Sequence, residues 1–221
     1  MTLAEMIALY RAHAHDDAEP YLCSDELLAI YATEAQDEAC RRGELLRDST
    51  SSLTRIAFTA GAESVPLDTR VVRILRAQVD GHPACGIAAE DMDASHPGWQ
   101  SGGPRARPTV LITGMSSGSL FLWPVPDQAG EIRLTVQRLP LKPLRANQAA
   151  TANPEIRPEL HRGLVEWMLY RAYSREDTDL YNDTKAVLAL RRYEAEFGRK
   201  ASGRNEAWMR NGGDSVPGPI A

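Results

Sequence analysis

The stretch SDELLAIYATEAQDEACRRGELLRDSTSSLTRIAF, residues 24–58, contains the change of pattern that decides the fold. Its first part has apolar residues at helical spacing, which predicts an amphipathic helix. Ser24 is a good N-cap for this helix, and Gly43 is a natural stop. After Gly43 the period falls from 3.6 to 2, with Ile56 and Phe58 facing one way, which predicts a β-strand. The chain therefore passes from a helical region into a β region near Gly43.

Helical and extended patterns continue on the two sides of this point. Upstream, the spacing of Leu3, Met6, Ile7 and Tyr10 predicts one more helix. Downstream, alternating segments reach Val136, and the Gly- and Ser-rich residues 114–119 between two of them predict a hairpin turn. Residues 90–107 are rich in Asp, Gly, Pro and Ser, which predicts a long surface loop with at most one helical turn.

Two further helices are predicted after the β region. The first carries apolar residues around much of its surface and must be buried: Leu160, Leu164, Val165, Trp167, Met168, Leu169 and Ala172. The second has a single apolar stripe, formed by Ala186, Ala189, Leu190, Tyr193 and Phe197. Gly198 follows as a natural helix stop.

This order of elements predicts an α+β fold. We expect the N- and C-terminal helix pairs to pack into a four-helix bundle with an inserted antiparallel β domain. The predicted divisions are residues 1–43 for the N-terminal helices, 44–145 for the β domain, 146–198 for the C-terminal helices and 199–221 for a C-terminal tail.

Composition limits the classes of function. The 221 residues carry a net charge of −5, so the chain has no basic footprint for nucleic acid. No apolar run approaches the roughly 18 residues of a membrane span, and the N-terminus lacks the basic region of a signal peptide. Three cysteines cannot all pair within one chain, which favours reduced thiols. We therefore predict no membrane contact.

One motif suggests an enzyme. Gly114-Met115-Ser116-Ser117-Gly118 matches G-x-S-x-G, and Asp127 and His161 follow in the chain order of α/β-hydrolases. That chemistry needs a strand, a strained turn and then a helix, whereas here strand residues follow the turn. The alternative of a small serine hydrolase using Ser116 stays open, but the pattern favours a hairpin turn in a protein that is not an enzyme.

No metal or cofactor is predicted. His82 and Cys85 could share a metal, but the sequence offers no second pair of ligands at suitable spacing.

Two charged or aromatic groups are candidates for binding surfaces. The second helix is acidic, and Glu34, Asp37 and Glu38 form either a solvated face or the wall of a channel along which a polyanion slides. Near the C-terminus, Trp208 and Met209 have no obvious core to join, which favours docking into a groove of a partner.

Several motifs along nearly the whole chain resemble the podovirus head-to-tail adaptor family, the neck or connector proteins that include tail tubular protein A. They are Pro97-Gly98-Trp99, the strand Leu120–Trp123 running into Pro124-Val125-Pro126-Asp127, Leu139-Pro140, Ile156-Arg157-Pro158-Glu159-Leu160-His161, and Leu164–Tyr173.

The resemblance implies a structural virion protein of the phage neck, assembled in the host cytoplasm. Its implied partners are further copies of itself in a ring, typically of twelve, with the portal protein at one end and the tail nozzle or tail tubular protein at the other. Genomic DNA would pass without sequence-specific contact. A C-terminal segment would dock on the portal, and its candidate residues are Arg199, Lys200, Arg204, Trp208, Met209 and Arg210. The resemblance carries no catalytic residue, and a regulatory or host-interaction module without a polymeric state is the remaining alternative.

Overall fold

The computed structural model describes residues 1–176 and 179–203, which fall into two compact units. The first contains Met1–Leu46 and Leu139–Lys200, and the second is built on Arg47–Arg138. The α-helices are α1 (Leu3–Ala14), α2 (Asp25–Gly43), α3 (Ala89–Ser95), α4 (His161–Tyr173) and α5 (Asp183–Phe197). The strands are β1 (Leu46–Asp48), β2 (Arg55–Phe58), β3 (Ser64–Pro66), β4 (Val71–Val79), β5 (His82–Ala88), β6 (Val110–Thr113), β7 (Ser119–Trp123) and β8 (Gly130–Arg138).

The helices of the first unit begin at the side chains that local chemistry favours. Thr2 and Glu5 form a capping box at the start of α1. The Ser24 hydroxyl accepts a hydrogen bond from the Leu27 N–H, as expected for the N-cap of α2. Asn182 caps α5 by accepting from the Lys185 N–H. The predicted helices at both ends of the chain therefore form; α1, α2 and α5 are held at their starts by side chains, whereas α4 follows the single turn Pro158–Leu160 without a side-chain cap.

Helix α4 is the centre of the first unit. It packs against α1, α2 and α5, and its buried residues occupy most of its circumference. Leu164 and Met168 are fully buried, and Trp167 meets Tyr193 of α5 with ring centroids 5.0 Å apart. This placement follows from the sequence, because a helix that is apolar on several sides can satisfy them only when neighbours surround it.

The second unit contains the sheet, with strand order β1-β8-β4-β5-β6-β7-β3, and β2 also pairs with β8. Most neighbours are antiparallel, but β5 and β6 pair in parallel over Cys85–Ala88 and Val110–Thr113. A parallel pair needs a crossover connection of a dozen or more residues, and residues 89–109, which include α3, supply it. The sheet curls into a half-barrel.

These findings overturn the predicted four-helix bundle with an inserted antiparallel β domain. The protein has five described α-helices and a curled, mixed sheet, and it is α+β overall. The bundle prediction is wrong because four helices of a bundle share one core equally, whereas here α4 lies at the centre and α1, α2 and α5 pack mainly against it. The antiparallel prediction is wrong because α3 lies in the polar segment that was expected to be a loop, and this helix allows β5 and β6 to run in parallel.

No helix in the described part of the chain is long and apolar enough to cross a membrane.

Close packing between α4 and α5 makes Gly163 a sensitive position. An added Cβ would lie 2.8 Å from Cε2 of the buried Phe197 ring. Alanine in place of glycine normally stabilises a helix by about 0.5–1 kcal/mol. We expect Gly163→Ala instead to lower the free energy of unfolding by about 1–3 kcal/mol, because overpacking outweighs that gain. Urea denaturation followed by circular dichroism measures the change.

Gly86→Ala is the control for this substitution, because no atom lies within 4 Å of the added Cβ at that position. We expect it to change the free energy of unfolding much less than Gly163→Ala. If Gly163→Ala were neutral or stabilising, the close contact between α4 and α5 would be wrong.

Candidate partner-binding surface

The start of the predicted docking segment is held against α2. Arg42 donates a hydrogen bond from Nη1 to the Gly198 carbonyl oxygen at 3.2 Å. Two residues later, Nζ of Lys200 lies 3.7 Å from Oε1 of Glu38. Arg199 is exposed beside it. These contacts fix where the chain leaves the helical unit after α5.

The other residues predicted to dock on the portal are Arg204, Trp208, Met209 and Arg210. All four lie outside the described residues, so their role stays a prediction.

The acidic residues of α2 mostly take part in ion pairs within the helical unit. Glu38 is buried and pairs with Arg41 at 3.0 Å and with Arg42 at 3.3 Å. Glu34 pairs with Arg171 of α4 at 3.2 Å. Asp37 is half-buried, and burial raises its pKa although Arg41 opposes the shift. The channel-facing role of Glu34, Asp37 and Glu38 stays a prediction, and Asp37 is the member that forms no ion pair among the described residues.

Arg42 is the residue of this region that sequence reasoning missed. Its position in the last turn of α2 predicts no more than a cation that suits the C-terminal end of a helix, yet its side chain is 4% exposed. Its guanidinium group lies over the rings of Trp167 and Tyr193, with its carbon 5.4 and 5.2 Å from their centroids. It also approaches Glu194 of α5 at 3.9 Å. Arg42 therefore contacts residues of α2, α4 and α5. The local sequence does not show that Arg42 is buried and the neighbouring Arg41 more exposed.

The motif around Ser116 forms a hairpin turn. Strands β6 and β7 pair antiparallel on either side of it, which confirms the predicted hairpin, and Ser116 is exposed at its tip. A hydrolase nucleophile would instead sit where a strand enters a helix. Asp127 is exposed in the segment between β7 and β8.

His161, the third member of the hydrolase motif, is buried in the helical unit. Its Nε2 lies 2.8 Å from the Ile156 carbonyl oxygen, and its Nδ1 lies 3.1 Å from the Met1 carbonyl oxygen. Both ring nitrogens are therefore engaged with the backbone, and the residue has a structural explanation.

The described residues contain no group of three or more His, Cys, Asp or Glu that could hold a metal ion. Cys85 is exposed, whereas Cys23 and Cys40 are buried, and none of the three is joined in a disulfide.

Comparison with known families identifies the class of the protein. The model of the SU10 adaptor protein family matches residues 1–217, which is almost the entire chain. The chain therefore belongs to the SU10 adaptor protein family and is a phage structural adaptor of the virion neck. This confirms the resemblance to head-to-tail adaptors that the sequence motifs indicated. A search of curated proteins found no match.

Proposed function

We propose that this chain assembles into a ring that joins the portal to the tail nozzle and continues the DNA channel between them. The observation that carries the proposal is the family match over residues 1–217, because a phage structural adaptor has portal and tail proteins as its general partners. The protein acts through surfaces and performs no chemistry. Its subunits assemble in the host cytoplasm, and the ring contains twelve copies by resemblance.

The helical unit supplies the anchor for the portal contact in this proposal. Arg42 and Glu38 hold the chain at Gly198 and Lys200, so the segment that follows starts from a fixed point on α2. Because the segment is tethered to the subunit, its effective concentration at the portal surface rises once another part of the same subunit has bound there. The proposed docking residues, from Arg199 to Arg210, all lie within twelve residues of that anchor.

For the DNA channel, the proposed contact with the genome is weak and does not depend on sequence. The net charge of −5 disfavours tight binding to a polyanion, because affinity for DNA depends on neutralising phosphates with Lys and Arg. Of the three acidic residues of α2, we propose that Asp37 faces the channel most directly, because Glu34 and Glu38 are engaged in ion pairs.

Truncation of the C-terminal segment tests portal docking. A chain ending at Gly203 keeps the contacts of Gly198 and Lys200 with α2 but lacks Arg204, Trp208, Met209 and Arg210. We expect it to unfold at the same urea concentration as the full chain and to bind portal at least 100-fold more weakly, because aromatic residues and arginines carry most interface energy. Biolayer interferometry with immobilised portal measures the affinity.

A chain ending at Phe197 also removes the contacts made by Gly198 and Lys200, so comparing it with the chain ending at Gly203 measures what those contacts contribute to stability. We expect it to be slightly less stable and equally unable to bind. Unchanged portal affinity of the chain ending at Gly203 would show that Arg204, Trp208, Met209 and Arg210 do not carry the docking.

The ring itself is tested by negative-stain microscopy and native mass measurement of the protein mixed with portal. A closed ring on the portal is expected. A protein that stays monomeric with portal present would overturn the proposed function.

A further inference from the structure

Four arginines share the outer face of β2, β8 and β4. In the register of the sheet, Arg55 lies opposite Arg133, and Arg76 and Arg73 lie opposite the next two outward residues of β8. Paired residues on neighbouring strands point to the same side of a sheet. The β8 residues at 132, 134 and 136, which alternate with these positions, are buried. The arginine face, defined as these four residues, is therefore the side turned away from the core.

Two of the four arginines, Arg55 and Arg76, carry charge that no ion pair in the described part of the chain compensates. Glu131 of β8 pairs with Arg133 at 2.6 Å. Arg55 and Arg76 are both exposed. Arg55 and Arg133 lie directly opposite each other on strands about 4.8 Å apart, so these like charges are brought close together. This face is suited to receive negative charge from outside the subunit.

The same unit carries an acidic surface on another part of the sheet. Helix α3 packs on β5 and β6 through Ala89 and Met92, and its outer residues Glu90, Asp91 and Asp93 are exposed. Asp93 accepts a hydrogen bond from the Trp99 indole at 2.8 Å. Within residues 1–176 and 179–203, Glu90 and Asp91 form no ion pair.

The numbers of basic and acidic residues in this unit favour a second copy of the same unit as its partner. Residues 47–138 contain nine arginines, no lysine, and nine aspartates and glutamates. The unit is therefore neutral in sum, and four of its arginines lie on the arginine face while three of its acidic residues lie on α3. A surface that binds nucleic acid usually lies on a strongly basic domain, and this unit is not basic. Arginine, with its planar fork of donors, matches carboxylates in geometry as well as charge.

We propose that the arginine face of one copy binds the acidic surface of α3 in the next copy, as the repeating contact between sheet units around the ring. The inference rests on the proposed ring and names the surfaces that hold it together. The contact joins two different surfaces, so it is heterologous, and heterologous contacts close into rings when the rotation per subunit allows.

A charge-swap experiment tests this contact with portal present. The variant Arg55→Glu/Arg76→Glu changes the summed charge of the arginine face and the adjacent Glu131 from +3 to −1, and the variant Glu90→Arg/Asp91→Arg changes the summed charge of Glu90, Asp91 and Asp93 from −3 to +1. Each alone places like charges across every contact, so we expect the fraction of protein in rings to fall at least tenfold for each. An equimolar mixture alternates the two variants and restores opposite charges at every contact, so rings should return. Analytical ultracentrifugation and negative-stain microscopy measure the ring fraction.

Arg105→Glu/Arg107→Glu is the matched control. It makes the same change of charge at two exposed arginines of the same unit that lie outside the arginine face, and we expect it to leave the ring fraction unchanged. Circular dichroism of each variant shows that the subunits are folded.

The outcomes separate this inference from the proposed function. Rings that persist in Arg55→Glu/Arg76→Glu, or a mixture of folded variants that does not restore them, would overturn the contact and leave the ring standing. A wild-type protein that forms no ring with portal would overturn both. If the arginine variant forms normal rings but loses salt-dependent binding to a duplex DNA of 30 base pairs, the face binds DNA and the contact between copies is wrong.

Discussion

Replacing Arg42 by alanine is expected to lower the free energy of unfolding by about 3 kcal/mol, because it removes one partner from a buried charge network. The Arg42 side chain is 4% exposed, and the carboxylates of Glu38 and Glu194 lie 3.3 and 3.9 Å from it. Without it, Glu38 keeps only Arg41 and Lys200, whose side chains are 37% and 58% exposed. The stacking of the guanidinium group over two aromatic rings is lost as well.

Arg41→Ala is the matched control, since Arg41 is the preceding residue and pairs with the same carboxylate at 3.0 Å. Its exposure means that water and salt screen the pair, so we expect a loss of about 0.5 kcal/mol. Arg42→Lys should be intermediate, because an ammonium group keeps the charge but cannot stack as a guanidinium does. If urea denaturation showed equal losses of unfolding free energy for Arg41→Ala and Arg42→Ala, the burial of Arg42 between α2, α4 and α5 would be wrong.

Replacing Asp48 by alanine should destabilise the sheet unit by about 3 kcal/mol, again by leaving a buried partner without its counter-charge. The carboxylate of Asp48 accepts a hydrogen bond from Nε of Arg138 at 2.6 Å and from the backbone N–H groups of Thr50 and Ser51 at 2.9 and 3.1 Å. It thereby ties the turn after β1 to the end of β8. Asp48 and Arg138 have side chains only 6% and 12% exposed.

The same residue gives a pH dependence of known sign. Burial alone would raise the pKa of Asp48, but hydrogen bonds from Ser51, Thr50 and Arg138 outweigh it and hold the pKa well below its usual range. A carboxyl whose pKa is lowered on folding stabilises the protein above its unfolded pKa of about 3.9, and that stabilisation is lost as the pH falls towards the folded value. The difference in unfolding free energy between wild type and Asp48→Ala should therefore shrink between pH 5 and pH 2.

Asp68→Ala is the control for Asp48. A hydrogen bond from Arg70 is the main reason that the pKa of Asp68 is lowered to about 2, against the opposing effect of burial. The Arg70 side chain is 42% exposed, so solvent screens the pair and we expect a loss below about 1 kcal/mol. An Asp48→Ala variant as stable as Asp68→Ala at pH 7 would contradict the buried pairing of Asp48 with Arg138.

The hairpin and the helix ends show how far local sequence determines local structure. The turn at residues 114–119 was predicted because glycine and serine fit tight turns between alternating strands, and β6 and β7 pair across it. Ser24 caps the start of α2 by accepting a hydrogen bond from the Leu27 N–H, and the helix ends at Gly43, where the next residue, Glu44, donates its N–H to the Cys40 carbonyl oxygen. The family could also be predicted from the sequence, because its motifs are short runs of neighbouring residues.

Tertiary structure alone decided the features that depend on residues far apart in the chain. The parallel pairing of β5 with β6 and the burial of Arg42 both depend on segments that no local period connects. The arginine face is the clearest case, because Arg55, Arg76 and Arg133 look like ordinary outward residues until the strand register places them side by side. Periodicity determined which side of each element is apolar, whereas the pairing of distant elements decided which charges meet.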